Sequence, residues 1–415
     1  MKFLILAFLI LSMIVILKLT IDWFSPARIS ALMWVFLIIG YHIFATDALY
    51  YYGVLWLVLS MIVLAIGEAF GSKILMMPNK FRTTSTQKPL GKISWNLLTI
   101  FIALGMLGDL IYLYKNGFNF SSFLSLASFL DMNATIAYNR YSSSIDSSIW
   151  ITLLFSFSYT ATLCGGYLYL YSETRFRKIL CYISFLPMVF NVAFTNTKSG
   201  IIACIFLFAI GYMVSYLTIY HKAIPLKHKY IIAGIVILFS IFILLGIVMC
   251  IRIGDFSKDT IEIVKRKFIT YAFGSVQAFD IWYSEYFYQP DFSLGAKTFM
   301  GPFALLGLYE REQGVYGNVG NIPSNVFTAY RGIILDYGSF GGIVFVFLAG
   351  ILGGASHANI KRGSKSMSLK LIYSSTLFFL LHSMFGSPWV YTSFWLVFVV
   401  FFLFIAISEN KIRVY

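Results

Sequence analysis

Residues 50–70 read YYYGVLWLVLSMIVLAIGEAF, with no charge before Glu68. A run of about 20 apolar residues, rising 1.5 Å each as a helix, crosses the roughly 30 Å hydrocarbon core of a bilayer. No water is present there to bond a bare backbone, so such a run must be a helix or part of a closed barrel. The apolar/polar alternation of a barrel strand is missing, which leaves the helix. Working outward, comparable runs occur at about 3–17, 29–46, 95–114, 149–171, 179–195, 200–220, 230–251, 339–356, 370–386 and 389–408. The expected fold is all-α: a polytopic integral membrane protein with about 11 (10–12) transmembrane helices in a single transmembrane domain, 1–415.

Composition agrees. The chain is 59% hydrophobic and only 12% charged, against about 25% charged in a soluble globular chain. Phe3 to Leu17 lacks a small-residue cleavage site and reads as a retained helix. Cys164, Cys181, Cys204 and Cys250 all fall inside apolar runs, with no metal-ligand spacing, and read as small core hydrophobes.

Charge gives the sidedness. Lys18 and Arg28; Lys73, Lys80, Arg82, Lys88 and Lys92; Arg175, Arg177 and Lys178; Lys222, Lys227 and Lys229; Lys361, Arg362, Lys365 and Lys370; and Lys411 and Arg413 all fall on one side. Only Asp22, Glu173 and Glu409 join them there. Short Lys/Arg-rich linkers stay cytoplasmic, which places the N-terminus outside and the C-terminus inside. The net charge of +14 is this sidedness in bulk and suits anionic inner-leaflet lipids. It is not a nucleic-acid footprint, because no soluble domain interleaves basic and stacking aromatic residues. A Gly-rich phosphate loop on a cytoplasmic segment is also lacking.

Two extracytoplasmic loops exceed the short connections: 115–148 and the much larger 252–338. A structureless loop of the second length is unusual, so it should fold as a cap. Ile261, Val264, Phe268, Ala272, Val276, Phe279, Tyr283 and Tyr286 recur at three- and four-residue spacing and predict an amphipathic helix. Trp282, Tyr283, Tyr286 and Tyr288 on it would suit the headgroup layer. Phe303 to Tyr309, after Pro302, is a short apolar piece able to dip into the membrane.

Outward cations are the candidate functional groups. Arg140 lies in Tyr138-Asn139-Arg140-Tyr141, and Lys198 in the tight turn Asn196-Thr197-Lys198-Ser199-Gly200. Arg252 ends the eighth run, Lys265, Arg266 and Lys267 open the amphipathic helix, and Arg331 follows Tyr330, with Asp336 beyond. Their convergence would suit a phosphate or pyrophosphate, Arg as a bidentate donor and Lys as a point charge. The competing reading is snorkelling of helix-end cations to the interface. Asp336 reads either as a base, as an organiser of Arg331, or as a carboxylate favoured at a helix N-terminus. Gly338, Gly342, Gly350 and Gly354 share a face and read as helix packing. Of the five histidines, only His382 is placed to face an outer site. No acidic pair suggests a metal; Glu310-Arg311-Glu312 is a weak Glu-x-Glu.

The layout resembles the Wzy-type O-antigen (oligosaccharide repeat-unit) polymerases, with two enlarged periplasmic loops and the larger before the last helices. Asn325-Val326-Phe327-Thr328 and Leu335-Asp336-Tyr337-Gly338-Ser339-Phe340-Gly341 are similar to that family's Asn-x-(Tyr/Phe)-Thr and Asp-(Phe/Tyr)-Gly-x-x-Gly stretches. Thr197-Lys198-Ser199-Gly200 is similar to its short basic turn, which more often carries Arg. The resemblance implies an inner-membrane, multi-pass glycosyltransferase with its active site facing the periplasm, acting without metal or other cofactor. It implies undecaprenyl-pyrophosphate-linked oligosaccharides as substrates, and membrane lipids, a chain-length regulator and a flippase as partners, with no nucleic acid. Catalysis would fall to Asp336, Arg331 and His382, with Asp280 and Glu285 as further candidate bases. Substrate would be held by Arg140, Lys198, Arg252, Arg266, Asn325, Tyr330 and Trp282, with Tyr283 and Tyr316 as additional sugar-stacking rings. Two rivals are an O-antigen ligase and a transporter or flippase. Transporters show broken helices and mid-membrane ionisable groups; here Glu68 and Asp109 lie towards helix ends.

Overall fold

The computed structural model describes residues 2–20, 22–44, 50–75, 90–115, 149–195, 198–225, 257–286, 292–310, 317–319, 322–324 and 327–410, and the single residues 125, 128, 135, 243 and 246. These are helical apart from connections and one two-stranded hairpin, β1 (Gly317–Val319) with β2 (Ile322–Ser324). The protein is an α-helical membrane protein. Among the described residues, eight helices are long and apolar enough to cross a membrane, and two shorter apolar helices join them. Every predicted apolar run overlaps helix except 230–251, of which only residues 243 and 246 are described; most of the 115–148 loop lies outside the described residues. The run at 179–195 is two helices, broken at Ser184 and Phe185.

The chain forms two compact units, Met1–Arg82 with His221–Tyr391, and Thr83–Tyr220 with Thr392–Tyr415. The first unit holds α1 (Lys2–Leu19), α2 (Pro26–Phe44) and α3 (Tyr52–Ile74). It also holds α9 (Lys258–Tyr286), α10 (Met300–Leu305), α11 (Ala329–Lys361) and α12 (Met367–His382). The second holds α4 (Lys92–Lys115), α5 (Ile149–Tyr169), α6 (Arg175–Ile183), α7 (Leu186–Thr195), α8 (Lys198–Tyr220) and α13 (Thr392–Asn410).

The first unit is organised around the pairing of α3 with α11. A Cβ at Gly67 would stand 2.3 Å from the Phe347 carbonyl oxygen, and one at Gly71 2.2 Å from that of Ile351. Reciprocally, a Cβ at Gly350 would stand 2.4 Å from the Leu64 carbonyl oxygen, and one at Gly354 2.3 Å from that of Glu68. Backbone meets backbone along this seam. In lipid the apolar side chains gain nothing from avoiding tails, so close packing of small residues drives helix association.

α11 is not continuous. Gly338 has φ 73° and ψ 171°, which divides the element into a short first helix and a long second one. Such a break frees the carbonyls just before it, and in a membrane each must find a donor. The Ile334 oxygen accepts from the Tyr286 hydroxyl at 3.1 Å. The Leu335 and Asp336 carbonyls accept the Ser293 and Leu294 amides at 3.0 and 3.2 Å. The break and the 292–298 segment therefore complete each other's hydrogen bonding.

α9 differs in one respect from its expected role. Val276, Phe279, Tyr283 and Tyr286 are buried in the same apolar cluster as residues of α2, α3 and α11. The face predicted to meet lipid headgroups meets protein instead, because its tyrosines have bonds to make there: Tyr283 donates to Ser339 Oγ at 3.1 Å and Tyr286 to Ile334. Asp280, fully buried, caps α3 from outside. Its carboxylate accepts the Tyr51 amide at 2.8 Å, the Gly53 amide at 2.9 Å and the Tyr41 hydroxyl at 3.0 Å. Those amides have no partner within α3, and a carboxylate there also suits the helix dipole.

At the other ends of the same helices, Lys361 Nζ donates to both Asp22 carboxylate oxygens at 2.9 and 2.8 Å. Arg28 Nε donates to Thr20 Oγ1 at 2.6 Å, and Glu68 accepts the Ala27 amide at 2.6 Å. In the second unit, Gly166 of α5 and Gly211 of α8 bring those two backbones together, while Gly105 and Gly108 of α4 fit against α5. Cys164, Cys181 and Cys204 are free and buried, as small hydrophobes would be.

Candidate functional site

The richest polar constellation gathers in the first unit, where the first half of α11, the 292–310 segment, α9 and the turn after α12 meet. Arg331 stands on the first turn of α11. Its guanidinium lies 4.0 Å from the centre of the Phe327 ring and 5.5 Å from that of Trp282. Stacking between aromatic faces suits the planar cation. Trp282 is itself fixed by Tyr286, 5.0 Å away between ring centres, and by Phe279 at 5.8 Å.

Asp336 is fully buried. One carboxylate oxygen accepts from Ser293 Oγ at 2.6 Å and from the Lys297 amide at 2.9 Å; the other accepts the Thr298 amide at 2.6 Å. These donors hold the 293–298 segment on α11 and occupy the carboxylate. Asp280 is occupied in the same manner by the start of α3. Of the other two candidate bases, Glu285 is exposed. His382 is buried, its Nδ1 3.0 Å from the Gly386 carbonyl oxygen and its ring against Phe378 and Phe385.

The turn after α12 joins the same place. The Ala329 amide donates to the Ser383 carbonyl at 2.7 Å, and Ser387 Oγ donates to the Thr298 carbonyl at 2.8 Å. The start of α11, the 293–298 segment and the turn after His382, far apart in sequence, are thus joined by hydrogen bonds. Tyr330 contributes only as core: it is 1% exposed, with Trp34 and Trp56 against its ring at 5.4 and 5.1 Å.

The remaining predicted residues sit elsewhere. Arg266 is on the exposed first half of α9, 2.8 Å from Glu262, whose carboxyl it holds below its usual value by hydrogen bonding and charge. Lys198 opens α8 in the second unit. Arg140, Arg252, Asn325 and Tyr316 lie outside the described residues.

Lys297 was not a sequence candidate. Its Nζ donates to the Tyr309 hydroxyl at 2.5 Å and lies over that ring, while its amide binds Asp336. No motif marks it, since only the docking of 293–298 on α11 brings a cation there. Thr298, its neighbour in the chain, and Thr328, just before α11, are both buried, each with a hydroxyl that has no hydrogen-bond partner. The neighbourhood offers stacked cation, aromatic faces and hydroxyls, a set suited to an anionic group attached to a polar ring.

Comparison of the chain with protein-family models, with curated proteins and with solved structures finds no match in any of the three.

Proposed function

We propose that the chain polymerises lipid-pyrophosphate-linked oligosaccharide repeats at the outer face of a bacterial cytoplasmic membrane, as the resemblance to O-antigen polymerases implies. The carrying observation is Arg331 close to the rings of Phe327 and Trp282, on the same helix whose Asp336 clamps the 293–298 loop. In this reading the charge-rich linkers face the cytoplasm, the spans number about 11, and the 252–338 loop is the outward cap.

The reaction breaks the bond between the anomeric carbon of the growing chain and its pyrophosphate oxygen. A hydroxyl of the acceptor repeat forms the new bond to that carbon and loses its proton, and the lipid pyrophosphate leaves with the electron pair. Arg331, with Lys297 nearby in the fold, would stabilise the charge building on the departing pyrophosphate. Trp282 would offer an aromatic face to a sugar ring. Asp336 acts here as a positioning residue, because its oxygens already accept three donors. His382 is left as the candidate to take the proton, with geometry to be set by bound substrate.

Deletion of the gene tests this through lipopolysaccharide banding. Loss of the ladder with one repeat left on the core supports the proposal; an unchanged ladder refutes it. The second reading is a transporter or flippase, favoured by two observations: the break in α11 at Gly338, and the buried Asp109 in α4. Its signature is accumulation of lipid-linked repeats on the cytoplasmic side. Ligase loss would instead strand polymer on its carrier.

A further inference from the structure

Lys297 Nζ, bonded to the Tyr309 hydroxyl and 5.1 Å from the centre of that ring, closes residues 297–309 into a hairpin. Between the two lies Thr298-Phe299-Met300-Gly301-Pro302-Phe303-Ala304-Leu305-Leu306-Gly307-Leu308, without a charge. The base of the hairpin is fixed on α11: Asp336 accepts the Lys297 and Thr298 amides, and the Phe299 ring centre lies 6.2 Å from that of Phe345. Its tip stands clear. Leu305, Leu306 and Leu308 are 55%, 73% and 67% exposed, and a Cβ at Gly307 would meet nothing within 4 Å. The backbone there is nonetheless closed on itself. Gly307 takes φ 68°, and the amides of Leu306, Gly307 and Leu308 donate to the Pro302, Ala304 and Phe303 carbonyls at 3.1, 3.1 and 2.9 Å. A glycine-capped end of this kind satisfies the last carbonyls of α10 without water, which is what hydrocarbon demands.

α11 supplies the level. Beyond the Gly338 break, Phe340, Val344, Leu348 and Leu352 are exposed at four-residue spacing, a lipid-facing stripe on a membrane-crossing helix. Phe345 precedes Lys361, the last residue of α11, by 361 − 345 = 16 residues, about 24 Å of helix. With Lys361 at one surface of a core about 30 Å thick, Phe345 lies roughly 6 Å inside the other, and Phe299 lies against it. Phe292 and Leu294, both exposed, continue the apolar surface from the stripe towards the hairpin: the Phe292 ring meets Gly338, and the Leu294 amide donates to the Asp336 carbonyl. We propose that the 297–309 hairpin is inserted in the bilayer, with Leu305, Leu306 and Leu308 among the acyl chains of the leaflet nearer the Gly338 break and Lys297 and Tyr309 holding its neck at the headgroups. A long-stemmed cation and a tyrosine, apolar in body and polar at the tip, suit that neck. This inference rests on the membrane-crossing character of α11 and stands independently of the polymerase reading.

The test uses the wild-type full chain in phosphatidylcholine liposomes doped with a phospholipid that carries a diazirine in its acyl chain. After illumination, trypsin cutting at Lys297 and Arg311 releases residues 298–311, and cutting at Arg331 and Lys361 releases 332–361. Carbene adducts on Leu305, Leu306 or Leu308 are expected at a density within about threefold of that on the Phe340–Leu352 stripe. A labelled 332–361 peptide beside an unlabelled 298–311 peptide would overturn the proposal. A nitroxide on Leu306→Cys gives a second readout, with wild type treated alike as the blank for native cysteines. It should be more accessible to dissolved O₂ than to a water-soluble Ni(II) chelate. The reverse order would place the tip in water, and exclusion of both would place it against protein, such as a second copy of the chain; either overturns insertion.

Discussion

Replacing Asp336 with Asn separates a positioning role from a chemical one. The native carboxylate, fully buried, accepts Ser293 Oγ at 2.6 Å, the Lys297 amide at 2.9 Å and the Thr298 amide at 2.6 Å. Asn has one acceptor oxygen. If that oxygen keeps Ser293 and Lys297, its NH₂ faces the Thr298 amide, donor against donor; the flipped amide sets its NH₂ against the Lys297 amide, although Ser293 Oγ can turn to accept from it. At least one buried N–H is orphaned, at about 1–3 kcal/mol, and the surviving bonds lose their charge assistance, at about 1 kcal/mol each. The sum, about 3–5 kcal/mol, falls on local opening of 293–298 rather than on the α3–α11 seam. At a factor of ten per 1.4 kcal/mol, amide exchange in that segment should accelerate by roughly 100- to 4,000-fold. Hydrogen–deuterium exchange read by mass spectrometry, on peptides covering 292–300 and on a control within α3, measures this directly. Unchanged exchange at 293–298 in Asp336→Asn would refute the clamp, and unchanged exchange with lost polymer would return Asp336 to a chemical role.

Other perturbations have equally definite outcomes. Arg331→Ala removes the stacked cation and should cut polymer yield by 100-fold or more, about 3 kcal/mol of transition-state stabilisation; Arg331→Lys, which keeps charge but not the planar stack, should recover only part of it on a banding gel. Gly354→Leu drives a side chain into the Glu68 carbonyl, 2.3 Å from its Cβ, and should part α3 from α11, lowering Tm in detergent by several degrees. Asp280→Ala orphans the amides of Tyr51 and Gly53 and should cost about 3 kcal/mol, seen as a Tm lower by roughly 3–6 °C. Glu262→Gln, at an exposed pair, should leave Tm unchanged; a fall of 5 °C or more would mean that the first half of α9 is packed against something.

Hydropathy made the helices legible because the bilayer permits so few alternatives, and 50–70 lies within α3 almost entirely. The packing glycines were half legible. Gly350 and Gly354 were read as a packing face, but their partners Gly67 and Gly71 were not, since nothing in one helix names its neighbour. Gly338 was grouped with them by spacing, yet its role is the break in α11; a spacing of four says nothing about φ. The aromatic face of α9 was found by its period and assigned the wrong surroundings. Periodicity shows which side is apolar, and cannot tell lipid headgroups from the rings of a neighbouring helix. At the candidate site, Arg331 and Trp282 were named separately and meet, whereas Lys297 carries no motif and is placed only by the docking of its loop. A buried structural acid and a catalytic acid share one sequence signature, so the sequence does not show that Asp336 and Asp280 each accept backbone amides from another segment.

The central claim is glycosyl transfer between lipid-linked repeats, with Arg331 beside the leaving group. The most direct test places the purified full chain in proteoliposomes with lipid-linked repeats extracted from the deletion strain. A ladder of repeat multiples with release of lipid pyrophosphate is expected, lost in Arg331→Ala. Repeats that stay single, with or without movement across the bilayer, would contradict it.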